Sequence, residues 1–407
     1  TKYSNKLILN ENTRLLAAAR AYGYADSVVS EYNYTVSAKS FKMLRDNYSF
    51  PNSRRSFAYQ NNYVIPLEIY VEVLGNSLGT ARYNNSRNSG GWKGSCFGFS
   101  ATFLMFFEEL MDYNDYYSSA EKLYDIPAPG DPNAELTGLI ESYQVSQLAG
   151  SLSAERINNH FGYYNNNPNC LTEIIEAVEN FQKTGEDPIV IDVWGNKDGH
   201  GNVINENVFK YGHAVVPYAC EKNEDGSHTI YVYDNNYPGP RNHIKTITID
   251  IREKSFAYQT DSRTYDTLIS YQKLDTIYNT YNTYDVQADS GVNTIVTISA
   301  DSAELKNIDG VPIEFVSGAY EILPVQEDID TDIKQYILSE GDYVVTGTDD
   351  ELKVSVTNKG VYTTVTAAES GASVYIDVNE NDTGYVYLNS MNGGTIETMN
   401  SSGIKSY

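Results

Sequence analysis

Cys96, His213 and Asp234 are the three residues of this chain whose types and surroundings could together perform acyl chemistry on a carbonyl. Cys96 lies in the run Gly90-Gly91-Trp92-Lys93-Gly94-Ser95-Cys96-Phe97-Gly98-Phe99-Ser100. Ser95 reads as a helix N-cap, which puts Cys96 on the first turn of a helix that is apolar nearly all round. A thiol there sits at the positive end of the helix dipole beside unpaired backbone donors, and both favour the thiolate that attacks carbonyls. The glycines before it allow close approach of substrate or backbone. Taken alone, the same residue also reads as a buried structural thiol, since free cysteine is among the most buried residue types.

His213 opens a second stretch, Tyr211 to Cys220, that alternates as a strand does. Glu221 to Gly226 supplies a turn, and His228 to Asp234 runs back. A hairpin centred between Asn223 and Glu224 sets His213 directly opposite Asp234, with Cβ atoms roughly 5 Å apart. A carboxylate so placed holds an imidazole in one tautomer, as the base for a nucleophile requires. A slip of one residue would present Asn235 instead, whose amide oxygen could do the same job. The blander readings are a core histidine for His213 and, for Asp234, a turn residue ahead of Asn235-Asn236-Tyr237-Pro238-Gly239. His200 lies in a Gly/Asn loop and His228 beside the hairpin turn, while His160 and His243 have no acid at strand spacing.

The elements around these residues read as helices first and antiparallel strands after, an α+β domain. Residues 1–50 are expected to be mainly helical, with Leu15, Leu16, Ala19 and Tyr22 on one face. Helices are expected over Leu67–Leu74, closed by Gly75, then Cys96–Asp112, Ala134–Leu148 and Leu171–Gln182, with Asn84–Gly94 as a polar loop. Strands follow at Ile189–Trp194, His213–Cys220, His228–Asp234 and Ile244–Ile251. The expected layout is a helical segment over 1–50, a domain over 51–275, a Tyr/Asn/Thr/Asp-rich linker over 276–292 and a β-sandwich over 293–407, where short alternating strands are split by Gly, Asn and Asp turns.

Gly-Ser-Cys-Phe-Gly-Phe-Ser opening an apolar helix, then Pro188-Ile189-Val190-Ile191-Asp192-Val193-Trp194, Gly212-His213-Ala214-Val215-Val216 and Tyr231-Val232-Tyr233-Asp234, resembles a papain-like cysteine peptidase. The chain order Cys, His, Asp fits that superfamily, and the strand pair with an acid at its end is most similar to the branch of bacteriocin-processing, double-glycine peptidases. The resemblance covers about residues 55–275. It implies a thiol-dependent hydrolase of peptide or related amide bonds, with Cys96 as nucleophile, His213 as base and Asp234 orienting the base. The family carries a Gln six residues before the nucleophile as an oxyanion donor; here that position is Gly90. Losing one such donor costs on the order of 3 kcal/mol of transition-state stabilisation. Asn88 is the first candidate to replace it, with Asn85 and Gln60 behind, and Trp92 and Trp194 could wall the cleft.

Length and charge bound the rest. At 407 residues the chain is too long for one ordinary core. Its 29 Lys and Arg stand against 54 Asp and Glu, a net charge of -25 that repels nucleic acid and anionic lipid. No stretch is long and apolar enough for a membrane span. Three cysteines make no disulfide framework. No spacing points to a metal or cofactor, and the acidic run Asp377-Val378-Asn379-Glu380-Asn381 lacks the Gly and closing Glu of a calcium loop. The chain opens at Thr1 without Met, as one relieved of a secretory leader would, and it reads as a secreted or surface-associated bacterial protein. Its partner would be a peptide or protein substrate. The alternative is an inactive papain-like scaffold that binds a surface glycan or protein through the β-sandwich. A transglutaminase-like acyl transferase uses the same three residue types but usually adds tryptophans around the histidine.

Overall fold

A computed structural model describes residues 13–18, 27–34, 40–162, 167–240, 244–282, 294–300, 303–323, 325, 333–347, 351–358, 361–379, 385–390, 393–400 and 403–406. The architecture is mixed α+β. The first described elements form a two-stranded antiparallel ribbon, β1 (Thr13–Ala17) and β2 (Ser30–Tyr34). This corrects the helical expectation for the described part of residues 1–50, which holds no helix. Leu15 and Leu16 lie on a strand, Leu15 half-buried and Leu16 exposed. Ala19 and Tyr22 lie outside the described residues. Tyr48 and Phe50, further on, are buried in the main core.

Helices α1 (Leu67–Leu74), α2 (Asn76–Asn88), α3 (Cys96–Phe107), α4 (Glu135–Ser146) and α5 (Gly150–Asn158) come next. Short strand β3 (His160–Phe161) and helix α6 (Cys170–Thr184) follow. The polar stretch expected as a loop from Asn84 is instead the end of α2, whose small and amide residues carry no apolar period. Strands β4 (Ile189–Gly195), β5 (Lys197–Asp198), β6 (Tyr211–Lys222), β7 (His228–Tyr233), β8 (Lys245–Asp250), β9 (Ser255–Gln259), β10 (Arg263–Tyr265) and β11 (Leu268–Lys273) join β3 in an antiparallel sheet ordered β3-β11-β4-β6-β7-β8-β9-β10-β5. Helix α7 (Leu274–Asn282) occupies the start of the expected linker, and Ile277 is fully buried in the main core.

α3 is enclosed on all sides: every residue from Phe97 to Phe106 is buried. One face of the sheet, through Val190, Ala214, Val216 and Tyr233, shares its core, while Ile191, Val193 and Val215 point the other way, toward α6. Alternation along each strand thus divides two cores. α4 lies against α3 so closely that a Cβ on Gly98 would stand 2.0 Å from the Ile140 carbonyl oxygen. α4 also carries the buried Glu141, which accepts hydrogen bonds from Tyr59 (2.5 Å) and Tyr63 (2.7 Å). Burial raises the Glu141 pKa to about 7 despite those two donors. No helix among the described residues is long and apolar enough to cross a membrane.

From Thr294 onward the described residues form two antiparallel sheets whose inner faces share one apolar core, with Val296, Val354 and Val365 from one and Val345, Val374 and Ile376 from the other. This β-module rests on the first domain. Leu78 of α2 packs on Ile295, Ile322 and Ile337, Arg82 hydrogen bonds to Gln335, and Leu323 packs on Trp194, Leu268 and Phe209.

Gly98→Ala is expected to destabilise the protein by about 3 kcal/mol or more, because the methyl meets rigid backbone; urea unfolding followed by circular dichroism measures it. The raised pKa of Glu141 means the folded state holds its proton more tightly, so stability is lost as pH climbs from about 4.5 to about 7. Glu141→Gln should therefore leave Tm nearly unchanged at pH 4 and raise it at pH 8, read by scanning calorimetry.

Candidate active site

Cys96 is the first residue of α3 and is half-buried. Ser95 occupies the N-cap position, but its hydroxyl accepts the Trp92 indole N–H (2.8 Å) and makes no capping bond. Gln144 of α4 serves that end of the helix instead, its Oε1 accepting from the Gly98 N–H at 3.0 Å. The Cys96 N–H has no hydrogen-bond partner among the described residues, which leaves it available to a ligand. The loop before the thiol is tied down further by Trp92 N–H donating to Tyr63 O at 2.7 Å.

His213 comes to this helix end through a β-bulge. From the turn upward β6 and β7 pair as Lys222↔His228 through Ala219↔Tyr231, and the register then shifts to Pro217↔Val232 and Val216↔Tyr233. The expected direct opposition of His213 and Asp234 is therefore corrected. The turn closes at Asn223–Ser227, and Asp234 follows the last paired residue of β7. Without the bulge, parity would place Asn235 on the face of His213; the extra residue near Tyr218 transfers that place to Asp234. Asp234 Oδ1 then accepts from His213 Nε2 at 2.8 Å.

Both partners are buried, His213 at 6% exposure and Asp234 at 1%. Tyr258 donates its hydroxyl to Asp234 Oδ2, and the Asn236 backbone N–H donates to Oδ1 at 2.8 Å. Burial alone would raise the Asp234 pKa, but the His213 charge and these donors hold it below the usual carboxylate range. Burial likewise works against protonation of His213, yet the Asp234 charge and hydrogen bond, and a hydrogen bond with Cys96, raise its pKa well above the ordinary imidazole value. Linkage gives opposite signs: the Asp234 contribution to stability is lost as pH falls through its lowered value, and that of His213 is lost as pH rises through its raised one. With Nε2 donating to Asp234, Nδ1 is the nitrogen left for the sulfur. The approach of Asn236 Nδ2 to Nε2 (3.3 Å) is then a contact between two donors.

Asn235 points elsewhere. Its Nδ2 donates to the carbonyls of Cys96 (3.1 Å) and Ala214 (3.1 Å), and its own carbonyl accepts the Asn52 N–H at 2.9 Å. It fastens helix, sheet and the Asn52 loop together and does not orient the imidazole. Asn88, the expected oxyanion donor, is exposed at the end of α2 and does not line the cavity beside Cys96; Asn85 and Gln60 do not line it either. The residue overlooked in the sequence is Asn52. Its Oδ1 accepts the Ser95 N–H at 2.9 Å, which fixes the amide so that Nδ2 is the free end, and Asn52 lines the same cavity as Cys96 and His213. In sequence Asn52 follows Pro51 and reads as a plain turn residue; only the chain crossing that sets it 43 residues from its partner reveals it.

The cavity, about 260 Å³, is walled by Trp92 and Trp194, with Tyr211, Tyr265 and Val325 of the β-module contributing. Cys170 and Cys220 are buried away from it, and burial pushes the Cys220 thiol up to about 11. His160 bonds the Ile157 carbonyl, His200 is exposed, His228 is buried beside its turn, and His243 lies outside the described residues.

Comparisons with known protein families, curated proteins and solved structures returned no match to this chain. Its chemistry is therefore argued from the geometry.

Asn52→Asp keeps the oxygen that accepts from Ser95 and removes the donor. The expected outcome is a burst of acylation by p-nitrophenyl acetate slowed about 100-fold, with alkylation by iodoacetamide, which forms no oxyanion, changed less than threefold.

Proposed function

We propose that the chain is a thiol-dependent hydrolase of peptide or related amide bonds, working through Cys96, His213 and Asp234 in the manner of the papain-like peptidases. The observation that carries this reading is one imidazole bonded through Nε2 to a buried carboxylate, its pKa raised further by the neighbouring Cys96 thiol at a helix N-terminus, with both residues lining one walled cavity. In the first half-reaction the Cys96 sulfur adds to the carbonyl carbon. The oxyanion is held by the Cys96 N–H and Asn52 Nδ2, and His213 gives the Nδ1 proton to the leaving amine as the C–N bond breaks. In the second, Nδ1 takes a proton from water, the resulting hydroxide adds to the thioester, and collapse releases acid and thiolate. Asp234 keeps Nε2–H in place throughout, so one tautomer serves both steps.

Asn52 supports this reading over an inactive scaffold, since its amide nitrogen is a donor for the place where Gly90 stands instead of the family's Gln. A binding role for the β-module has no observation of its own in support.

At pH 7, Cys96→Ala should abolish alkylation by iodoacetamide at this site, as read by intact mass. His213→Ala should slow it at least 100-fold. An unchanged rate in the second variant would sink the proposal. Asp234→Asn removes the charge that raises the imidazole pKa, so the high-pH limb of the rate profile should move down by about one to three pH units.

A further inference from the structure

The cavity contains one buried charged group that the mechanism does not use. Asp192 lies on β4, 5% exposed, and lines the cavity with Cys96 and His213. Its Oδ2 is committed: Arg156 Nε donates to it at 3.1 Å and, in the amide orientation that satisfies its neighbours, Gln272 Nε2 donates at 3.0 Å. Oδ1 has no hydrogen-bond partner among the described residues, and Asp192 is one of the residues lining the cavity. Arg156 cannot turn to serve it. That guanidinium is 1% exposed, lies 5.9 Å from the Phe97 ring and 6.0 Å from the Trp194 ring, and donates to Gln147 Oε1 at 3.3 Å.

A carboxylate oxygen facing a cavity accepts most strongly from a charged donor, whose hydrogen bonds to it are roughly twice as strong as neutral ones. The surroundings suit such a guest. Trp194 and Tyr265 present aromatic surface along which a methylene stem can lie, and a cation near an aromatic face is attracted to it. Of the other charged side chains on the cavity, His213 is bound to Asp234, and Lys93 is exposed.

We propose that Asp192 sets the substrate class of this site, its free oxygen receiving a cationic N–H donor, a primary ammonium or guanidinium, carried on the acyl side of the scissile amide. The proposal rests on the reading of Cys96 as nucleophile. It makes Asp192 a specificity-determining residue that binds substrate and takes no part in proton transfer.

The test uses tosyl chloromethyl ketones of lysine and of norleucine, which share a reacting group and differ in the cation. Their rates at Cys96 are followed by intact mass, each beside the iodoacetamide rate of the same protein. The wild-type chain should favour the lysine reagent at least tenfold, and Asp192→Asn, which still accepts from Arg156, should bring the ratio to within about threefold of unity. Equal rates for the two reagents in the wild type, or an unaltered preference in the variant, would overturn the proposal. Loss of His213-dependent iodoacetamide reactivity would instead overturn the nucleophile reading, so the two failures are separable. Should the variant not fold, protection in the wild type decides: n-butylammonium should slow alkylation of Cys96 and n-butanol should not, and equal effects of the two would count against Asp192.

Discussion

The enclosure of α3 is the constraint on which this structure depends. A helix apolar on every side must be covered on every side, and α4, α7 and the sheet provide the cover. The need for contact is strong enough that Gly98 lets two helix backbones touch. Such a helix has only its ends to offer to solvent, and Cys96 stands at one of them, half-buried and lining a cavity. Position and accessibility of the thiol follow from how the core is closed.

Around that opening, the polar groups are bound in a chain of single assignments. Ser95 is taken by Trp92, Gly98 by Gln144, the Ser95 N–H by Asn52, and Asn52 in turn by Asn235. Each bond uses one atom of a bifunctional group and leaves the other facing a known direction. Directed leftovers of this kind, the Asn52 amide nitrogen and Asp192 Oδ1, give a preorganised cavity its chemistry, because no reorganisation is required when a charge arrives. The His213–Asp234 pair has the same logic: three groups hold the carboxylate, and the imidazole keeps Nδ1 for the sulfur.

Much of the first domain was legible in the sequence. The apolar run after Cys96, the closing Gly75 and the alternating strands from Ile189 state their structures locally, by period and by cap. The hairpin shows where local reasoning stops. Its turn was placed too early, yet its parity agrees with the observed faces, because a bulge offsets the slip; Pro217, which has no N–H to give the ladder, is the local mark of that bulge. α2 carries too little apolar period to be read, and its partners, Ile295 and Ile337, come from the distant β-module. Leu15 and Leu16, counted toward a helical face with Ala19 and Tyr22, lie on a strand of a two-stranded ribbon instead. Asn52 was invisible for a related reason: its place beside Cys96 is a property of three chain segments meeting.

The reach of Leu323 and Val325 across to Trp194 and the cavity has a consequence for how such a chain can change. One wall of the cleft is encoded more than 200 residues after the thiol it shelters. The β-module is therefore no detachable appendage. Exchanging it for another would redraw the outline of the cleft even with every residue of the first domain untouched, so the two parts are bound to be inherited as a pair.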